Sequence, residues 1–296
     1  LRGLSTALLE LGLLQEAQAH QQRLVELHPD DGAARANLGA ILVKQGRVQE
    51  GIQAYRHALR LDTDLFEVIP NLVFAEHYLP EHSPQALHGM SREYGQALVR
   101  QVAARRQWQV DGLPGRRLRV GLVSTDFRQH PVAYFLENVL RSLKNRHGDS
   151  LELLAYHCDG REDAMTQRLK PFFGQWRQCA ALPDSALADL VYDDRVDILI
   201  DLIGYTARPR LGAFAARPAP VQVSWLGYFA TTGLDRMDYV LADPLCLPPE
   251  GDQLYTEQVW RLPRTRLCLT PPGEEIAVGP LPARANGHVT FGCFNN

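Results

Sequence analysis

No C-x-x-C pair occurs in this chain. Its five cysteines, Cys158, Cys179, Cys246, Cys268 and Cys293, are odd in number and far apart, which argues against a disulfide framework and against a thiolate zinc site. That usage suits a reducing compartment, so a cytoplasmic location is expected. No apolar run approaches the roughly 20 residues of a membrane span, and Leu1 to Gln15 lacks the basic start and cleavage pattern of a secretory signal. Charge of one sign is also missing: 31 Lys and Arg stand against 34 Asp and Glu, scattered along the chain, for a net −3. Neither nucleic acid nor an anionic membrane is therefore expected as a partner. Absent too are G-x-G-x-x-G, a Walker loop, G-x-S-x-G and H-E-x-x-H, so dinucleotide, ATP, serine-hydrolase and zincin readings lose support. The chain begins without Met, inside a helical pattern, and is expected to be cut from something longer.

At 296 residues the chain exceeds the roughly 100–200 of an average domain, and at least two domains are expected. Residues 1 to 64 repeat with the period of the tetratricopeptide unit: Leu4 aligns with Leu38, Leu8 with Leu42, Gly12 with Gly46 and Leu27 with Leu61. A third, degenerate unit is expected from Leu65, because Asn71-Leu72 repeats the register of Asn37-Leu38. Ser83 as a cap and Pro84 at the first helical position predict another helix, running to about Arg106.

After the linker-like DGLPG the periodicity changes, and short apolar runs alternate with amphipathic ones. Strands are predicted at Leu118 to Val123, Leu151 to Tyr156, Val196 to Ile203, Val221 to Trp225 and Tyr239 to Leu241. Helices are predicted near Val132 to Leu143, Asp163 to Phe173, Asp184 to Tyr192 and Pro209 to Ala216. Such alternation predicts a mostly parallel sheet covered on both faces. Val289 to Phe291 reads as the opening strand of another α/β unit. The expected organisation is therefore tetratricopeptide repeats and linking helices over 1–111, a Rossmann-like α/β domain over 112–285 and the start of a second such domain over 286–296.

The turn after the first strand, STDFRQHP at Ser124 to Pro131, concentrates the polar groups. Ligand sites in open α/β sheets form where strands end in such loops. Pro131 suits a first helical position and disfavours the α region for His130, which places His130 at the cap. There the helix dipole lowers its pKa and keeps the imidazole neutral, able to exchange a proton or hydrogen bond with a substrate hydroxyl. Asp126, four residues earlier, can orient it or serve as an alternative base. On these residues alone a catalytic pair and a simple helix cap stand level. Asp201 and Gly204 to Thr206 end another predicted strand and divide in the same way between ligand contact and ordinary turn. Asp62-Thr63-Asp64 mimics a D-x-D metal motif but falls between two repeats, and Asp193, Asp194 and Asp197 need no reason beyond a polar turn. No metal is expected.

Taken together, the repeat, LRVGLVSTDFRQHP, then DILIDLIGYTARPR (Asp197 to Arg210), RPAPVQVSWLGYFATTG (Arg217 to Gly233) and FGCFNN resemble the O-GlcNAc transferase and SPINDLY family of glycosyltransferases, and most of all its bacterial O-GlcNAc transferases. The resemblance covers nearly the whole chain. It implies the first half of a GT-B glycosyltransferase, with two facing Rossmann-like domains and a nucleotide-sugar cleft between them. The implied reaction is an inverting transfer of N-acetylglucosamine from UDP-GlcNAc to protein Ser or Thr hydroxyls, with no metal or other cofactor. Within it, Asp126 and His130 correspond to active-site residues, the His as base or sugar contact. Leu226, Gly227 and Tyr228 follow Trp225 in the segment whose backbone lines the donor-sugar pocket, and Asn296 contacts the nucleotide. Asn37 and Asn71 correspond to groove positions that pair with the backbone of an extended acceptor peptide. Phe229, Gln129 and Val132 stand where the animal enzymes have Pro, Asn and Thr. The family's pyrophosphate-binding Lys is expected just past Asn296, so the chain as given is expected not to turn over by itself. Two rivals remain: a SPINDLY-type O-fucosyltransferase using GDP-fucose, and a non-catalytic tetratricopeptide adaptor.

Overall fold

The computed structural model describes residues 2–108, 115–206, 208–271, 273 and 277–293. Four helices come first: α1 (Arg2–Glu10), α2 (Leu14–Leu27), α3 (Gly32–Lys44) and α4 (Val48–Leu61). Short connections fold each helix back on the one before, as in helical hairpins. Gly12 and Gly46, which align in the 34-residue register, both follow a helix end and adopt positive φ (77° and 79°), the left-handed conformation that a side chain resists there. Small residues then let the helices approach: a Cβ on Gly51 would lie 2.9 Å from the Gly39 carbonyl oxygen. A 3-10 turn at Phe66–Val68 leads into α5 (Ile69–Glu76), and α6 (Pro84–Gln101) follows. The Ser83 hydroxyl accepts from the Ala86 amide, so the predicted cap forms. The helix stops at Gln101 rather than near Arg106, and Val102 is already extended.

The second part alternates strand and helix: β1 (Leu118–Ser124), α7 (Pro131–His147), β2 (Leu151–His157), α8 (Ala164–Leu169), β3 (Gln175–Gln178), α9 (Asp184–Asp193), β4 (Ile198–Asp201), α10 (Leu211–Ala215), β5 (Val221–Ser224), β6 (Tyr239–Ala242) and β7 (Gln258–Arg261). Every pairing is parallel, in the order β3-β2-β1-β4-β5-β6-β7. Residues alternate between two cores. Val123, Leu154, Tyr156 and Leu199 face one core with Leu187 and Val191 of α9 and Phe214 of α10. Val120, Leu122, Leu153 and Ala155 face the other, with Leu136 and Leu140 of α7 and Leu169 of α8. Burial on both faces accounts for the continuous apolar runs of the inner strands. Leu87, Tyr94 and Leu98 of α6 and Val73 of α5 belong to the first core, so these two helices are packed into the α/β body.

Several predictions need correction. β3 and β7 had no apolar run to reveal them: Gln-Trp-Arg-Gln and Gln-Val-Trp-Arg lie at the two sheet edges, where one side is open to water. The strand predicted over Val196 to Ile203 narrows to β4, whose last carboxylate turns the chain. The helix predicted over Asp163 to Phe173 breaks after Leu169 into a 3-10 turn containing Pro171, which has no amide to donate. Val289 to Phe291 forms no strand; Val289 and Phe291 are exposed, and the short α11 (Pro282–Asn286) is the last element among the described residues. Among the described residues no helix is long and apolar enough to cross a membrane.

Candidate active site

The sheet order reverses direction between β1 and β4, the place where connections leaving the carboxyl ends of a parallel sheet diverge and ligands bind in such folds. The loops after β1, β4 and β5 all arise at this edge, and each carries one of the motifs read from the sequence. Fold topology thereby brings together residues that are 75 to 100 positions apart in the chain.

The β1 loop is held firmly. Phe127 is fully buried and packs against Phe173 and Trp176, with ring centroids 5.5 and 5.4 Å away. The Gln129 amide donates to Asp163 Oδ2 (2.6 Å), while Asp163 Oδ1 caps α8 at the Thr166 amide (3.0 Å). Asp163 thus ties the loop to the helix behind it. The sequence carried a signal for this in the D-x-x-T spacing of Asp163 and Thr166, which form a capping box. Arg128 lies between two carboxylates, 3.5 Å from Asp126 Oδ1 and 3.2 Å from Asp159 Oδ2. Burial opposes ionisation of Asp159, but hydrogen bonds from Arg161 and the charges of Arg161 and Arg128 hold its pKa down at about 2.

His130 occupies the cap of α7 with Pro131 as the first helical residue, as the sequence indicated. Its Nδ1 accepts from the Val132 amide (3.3 Å) and stands 3.7 Å from Asp126 Oδ1. Burial lowers the imidazole pKa; Asp126 pulls upward and Arg128 downward. The ring is therefore neutral near pH 7. With Nδ1 accepting, its proton sits on Nε2, which makes Nε2 a hydrogen-bond donor. The other tautomer, with Nδ1–H turned toward Asp126, frees Nε2 to accept a proton. Asp126 itself is 2% exposed and, among the described residues, receives no side-chain hydrogen bond but the long one from Arg128.

After β4, the carboxylate of Asp201 accepts from the Ile203 (3.0 Å) and Gly204 (2.9 Å) amides. Complete burial raises its pKa to about 6, against the pull of these amides. The loop after β5 fits against this turn. Trp225 anchors it through its indole N–H to the Arg266 carbonyl (3.1 Å). Leu226 then adopts φ 70°, and the Gly227 amide closes a three-residue turn onto the Trp225 carbonyl (2.9 Å). A positive φ at leucine is strained by roughly 1–3 kcal/mol and is retained where surrounding structure enforces it. The next residue is held close to the turn after β4: a Cβ on Gly227 would fall 1.8 Å from the Leu202 carbonyl oxygen. Tyr228 turns its ring into the body, stacked on Tyr205 (5.0 Å, 29°). Further on, buried Glu257 accepts from the Thr231 hydroxyl (2.6 Å) and from the amide (2.7 Å) and hydroxyl of Thr232. Sequence reading did not single out Glu257, which sits in no motif.

Other candidates resolve differently. Asp194 is taken up by Arg177 and the Tyr156 hydroxyl, Asp197 by Arg116 and the Arg119 amide. Asp62 bonds the Asp64 amide in the turn after α4. Among the described residues no group of three or more His, Cys, Asp or Glu side chains is placed to hold a metal ion. Asn37 on α3 and Asn71 on α5 are both exposed. Asn296 lies outside the described residues.

Residues 100–268, which include all three loops, match the profile of glycosyl transferase family 41. The chain is 36% identical over 249 residues to a probable UDP-N-acetylglucosamine–peptide N-acetylglucosaminyltransferase SPINDLY of Oryza sativa subsp. japonica, covering 83% of this chain and 26% of that protein. A counterpart named SEC from Arabidopsis thaliana is 33% identical over 149 residues, 50% of this chain and 15% of its own length. A solved structure of a Thermobaculum terrenum O-GlcNAc transferase mutant superposes with a TM-score of 0.86 at 38% identity, covering 92% of this chain and 52% of that one. The chain thus spans about a quarter of the SPINDLY relative and about half of the solved structure. By the extent of the profile match and the identity to these relatives, the chain belongs to glycosyl transferase family 41.

Proposed function

We propose that this chain is the repeat-bearing first half of an inverting, metal-independent protein O-GlcNAc transferase. In this reading residues 1–111 are tetratricopeptide repeats and linking helices, 112–285 the first Rossmann-like domain, and 286–296 the start of the second. One observation carries the proposal: the loops bearing Asp126-His130 and the strained Leu226-Gly227-Tyr228 turn leave the same carboxyl edge of the parallel sheet, after β1 and β5 on either side of β4, in a family 41 chain. A UDP-sugar lies with its sugar against the backbone of that turn, and Asn296 reaches the nucleotide. The acceptor hydroxyl attacks the anomeric carbon, its proton is lost, and UDP leaves with the electrons of the broken bond. His130 serves the sugar as an Nε2–H donor in one tautomer. In the other, Nδ1–H faces Asp126 and Nε2 takes the hydroxyl proton. Asn37 and Asn71 bind the acceptor backbone, which suits many protein substrates because amide pairing ignores side-chain identity. The names carried by the relatives, and that of the superposed enzyme, support UDP-GlcNAc as donor.

Calorimetry on the full-length polypeptide tests this directly. UDP-GlcNAc is expected to bind and GDP-fucose not to; tight GDP-fucose binding alone would assign the chain to O-fucosyl transfer. His130→Ala is expected to retain donor binding while turnover falls by about 10²–10⁴-fold, the usual worth of a proton-handling group. Unchanged turnover would remove His130 from the chemistry, and a wild type without turnover would favour the adaptor reading.

A further inference from the structure

The turn that is to hold the donor sugar is supported from behind by a residue of the helical region. His77 follows the last residue of α5, six positions after Asn71. Its Nε2 lies 2.9 Å from the Tyr228 hydroxyl, a contact spanning 151 positions of sequence. Its ring also packs edge-on against Phe229 (4.8 Å), Tyr228 (5.9 Å) and His82 (5.6 Å). Tyr228 is 2% exposed, stacks on Tyr205 and leans on Phe74 of α5 (6.4 Å). The Tyr205 hydroxyl in turn donates to the Thr232 carbonyl (2.7 Å), further along the same loop.

From this arrangement we infer that His77 is a positioning residue for the Trp225–Phe229 turn, fixing the Tyr228 ring so that Leu226 and Gly227 keep the backbone shape the donor pocket needs. The inference rests on the function proposed above. Leu226 holds an unfavourable φ, so the turn relaxes unless its neighbours forbid it. Gly227 abuts the Leu202 carbonyl just after β4 on one side, and the His77–Tyr228 hydrogen bond closes the other. Burial, with the charge of His82, lowers the His77 pKa to about 4, so the ring is neutral and the bond is a neutral one throughout the working range. Because α5 also carries Asn71, the support for the donor turn and a proposed acceptor contact share one helix.

The test uses the full-length polypeptide with His77→Phe, His77→Gln, Tyr228→Phe and the His77→Phe/Tyr228→Phe double variant. Two readouts are taken: amide hydrogen exchange over residues 225–229, and KM and kcat for UDP-GlcNAc. His77→Phe is expected to speed exchange in the turn and raise donor KM by about two- to ten-fold, the worth of one such hydrogen bond. His77→Gln, whose amide reaches Tyr228 from a similar point, restores both. The double variant is no worse than either single one, because both delete the same bond. Additive losses, no rescue by Gln, or unaltered exchange in the turn overturns the inference. Should His77→Phe not fold, Tyr228→Phe, which removes one oxygen, decides by exchange alone. Wild-type protein that binds no UDP-sugar defeats the proposed function, while the exchange readout still judges the role of His77.

Discussion

Gly227→Ala isolates the close approach between the β5 loop and the turn after β4. Gly227 has no positive φ, so its backbone shape is open to alanine and the effect is purely steric. The added methyl would lie 1.8 Å from the Leu202 oxygen, 2.5 Å from its carbonyl carbon and 3.0 Å from the Ile203 nitrogen, all of them backbone atoms. That backbone has little room to yield. Leu202 donates to the Val123 carbonyl in β1, and the amides of Ile203 and Gly204 are held by Asp201. The turn must therefore move by more than about 1 Å to recover an ordinary contact of roughly 3.5 Å. Forced packing of this kind costs about 1–3 kcal/mol. For a chain of this size, each kcal/mol lowers the melting temperature by roughly 2–4 °C. A displacement near 1 Å in a positioning element lowers turnover by about 10²-fold. Thermal unfolding and steady-state kinetics on the full-length polypeptide measure both. Normal turnover with an unchanged melting temperature would refute the account of the turn as wedged against the Leu202–Ile203 backbone.

Asp201 makes stability depend on pH. Its folded pKa of about 6 exceeds the ordinary 3.8, so the folded chain holds a proton that the unfolded chain has lost. Stability from this group is complete below about pH 4 and disappears as pH rises through 6, by roughly 3 kcal/mol at most. Urea unfolding of the wild type and Asp201→Asn at pH 4 to 7 should show the wild type losing ground to the variant as pH rises; a constant difference contradicts the assignment. Gly89→Ala serves as a contrasting substitution, since Gly89 lies exposed within α6 with nothing within 4 Å of the added methyl. It is expected to raise stability by about 0.5–1 kcal/mol, visible as a higher urea midpoint, and a lower midpoint would show a contact that the structure does not contain.

Wherever local chemistry dictates structure, the sequence was legible. The cap at His130, Pro131 at the start of α7, the Ser83 cap, and the glycines after α1 and α3 follow from what one or two residues can do with nearby backbone. The inner strands announced themselves because both of their faces are buried. The edge strands β3 and β7 did not, because half their surface faces water and their residues are correspondingly polar. Glu257 escaped notice for another reason: a lone carboxylate becomes a clamp only when a distant Thr-Thr pair is folded onto it.

From sequence alone came the elements, the alternation that makes a parallel sheet, and the likeness of three loop motifs to a glycosyltransferase family. Tertiary structure decided what those loops form together. Strand order set β1 beside β4, and so placed His130 and Asp126 at the edge where Asp201 and the Trp225–Phe229 turn also lie. It also put leucine where glycine would be expected, at a positive φ that costs roughly 1–2 kcal/mol locally, next to a glycine seated against the Leu202 carbonyl. The Tyr228 side chain, in the segment whose backbone the resemblance assigned to the sugar pocket, was turned toward His77, 151 residues away. Periodicity and propensity act over a few residues, whereas these contacts exist only once the chain has closed on itself.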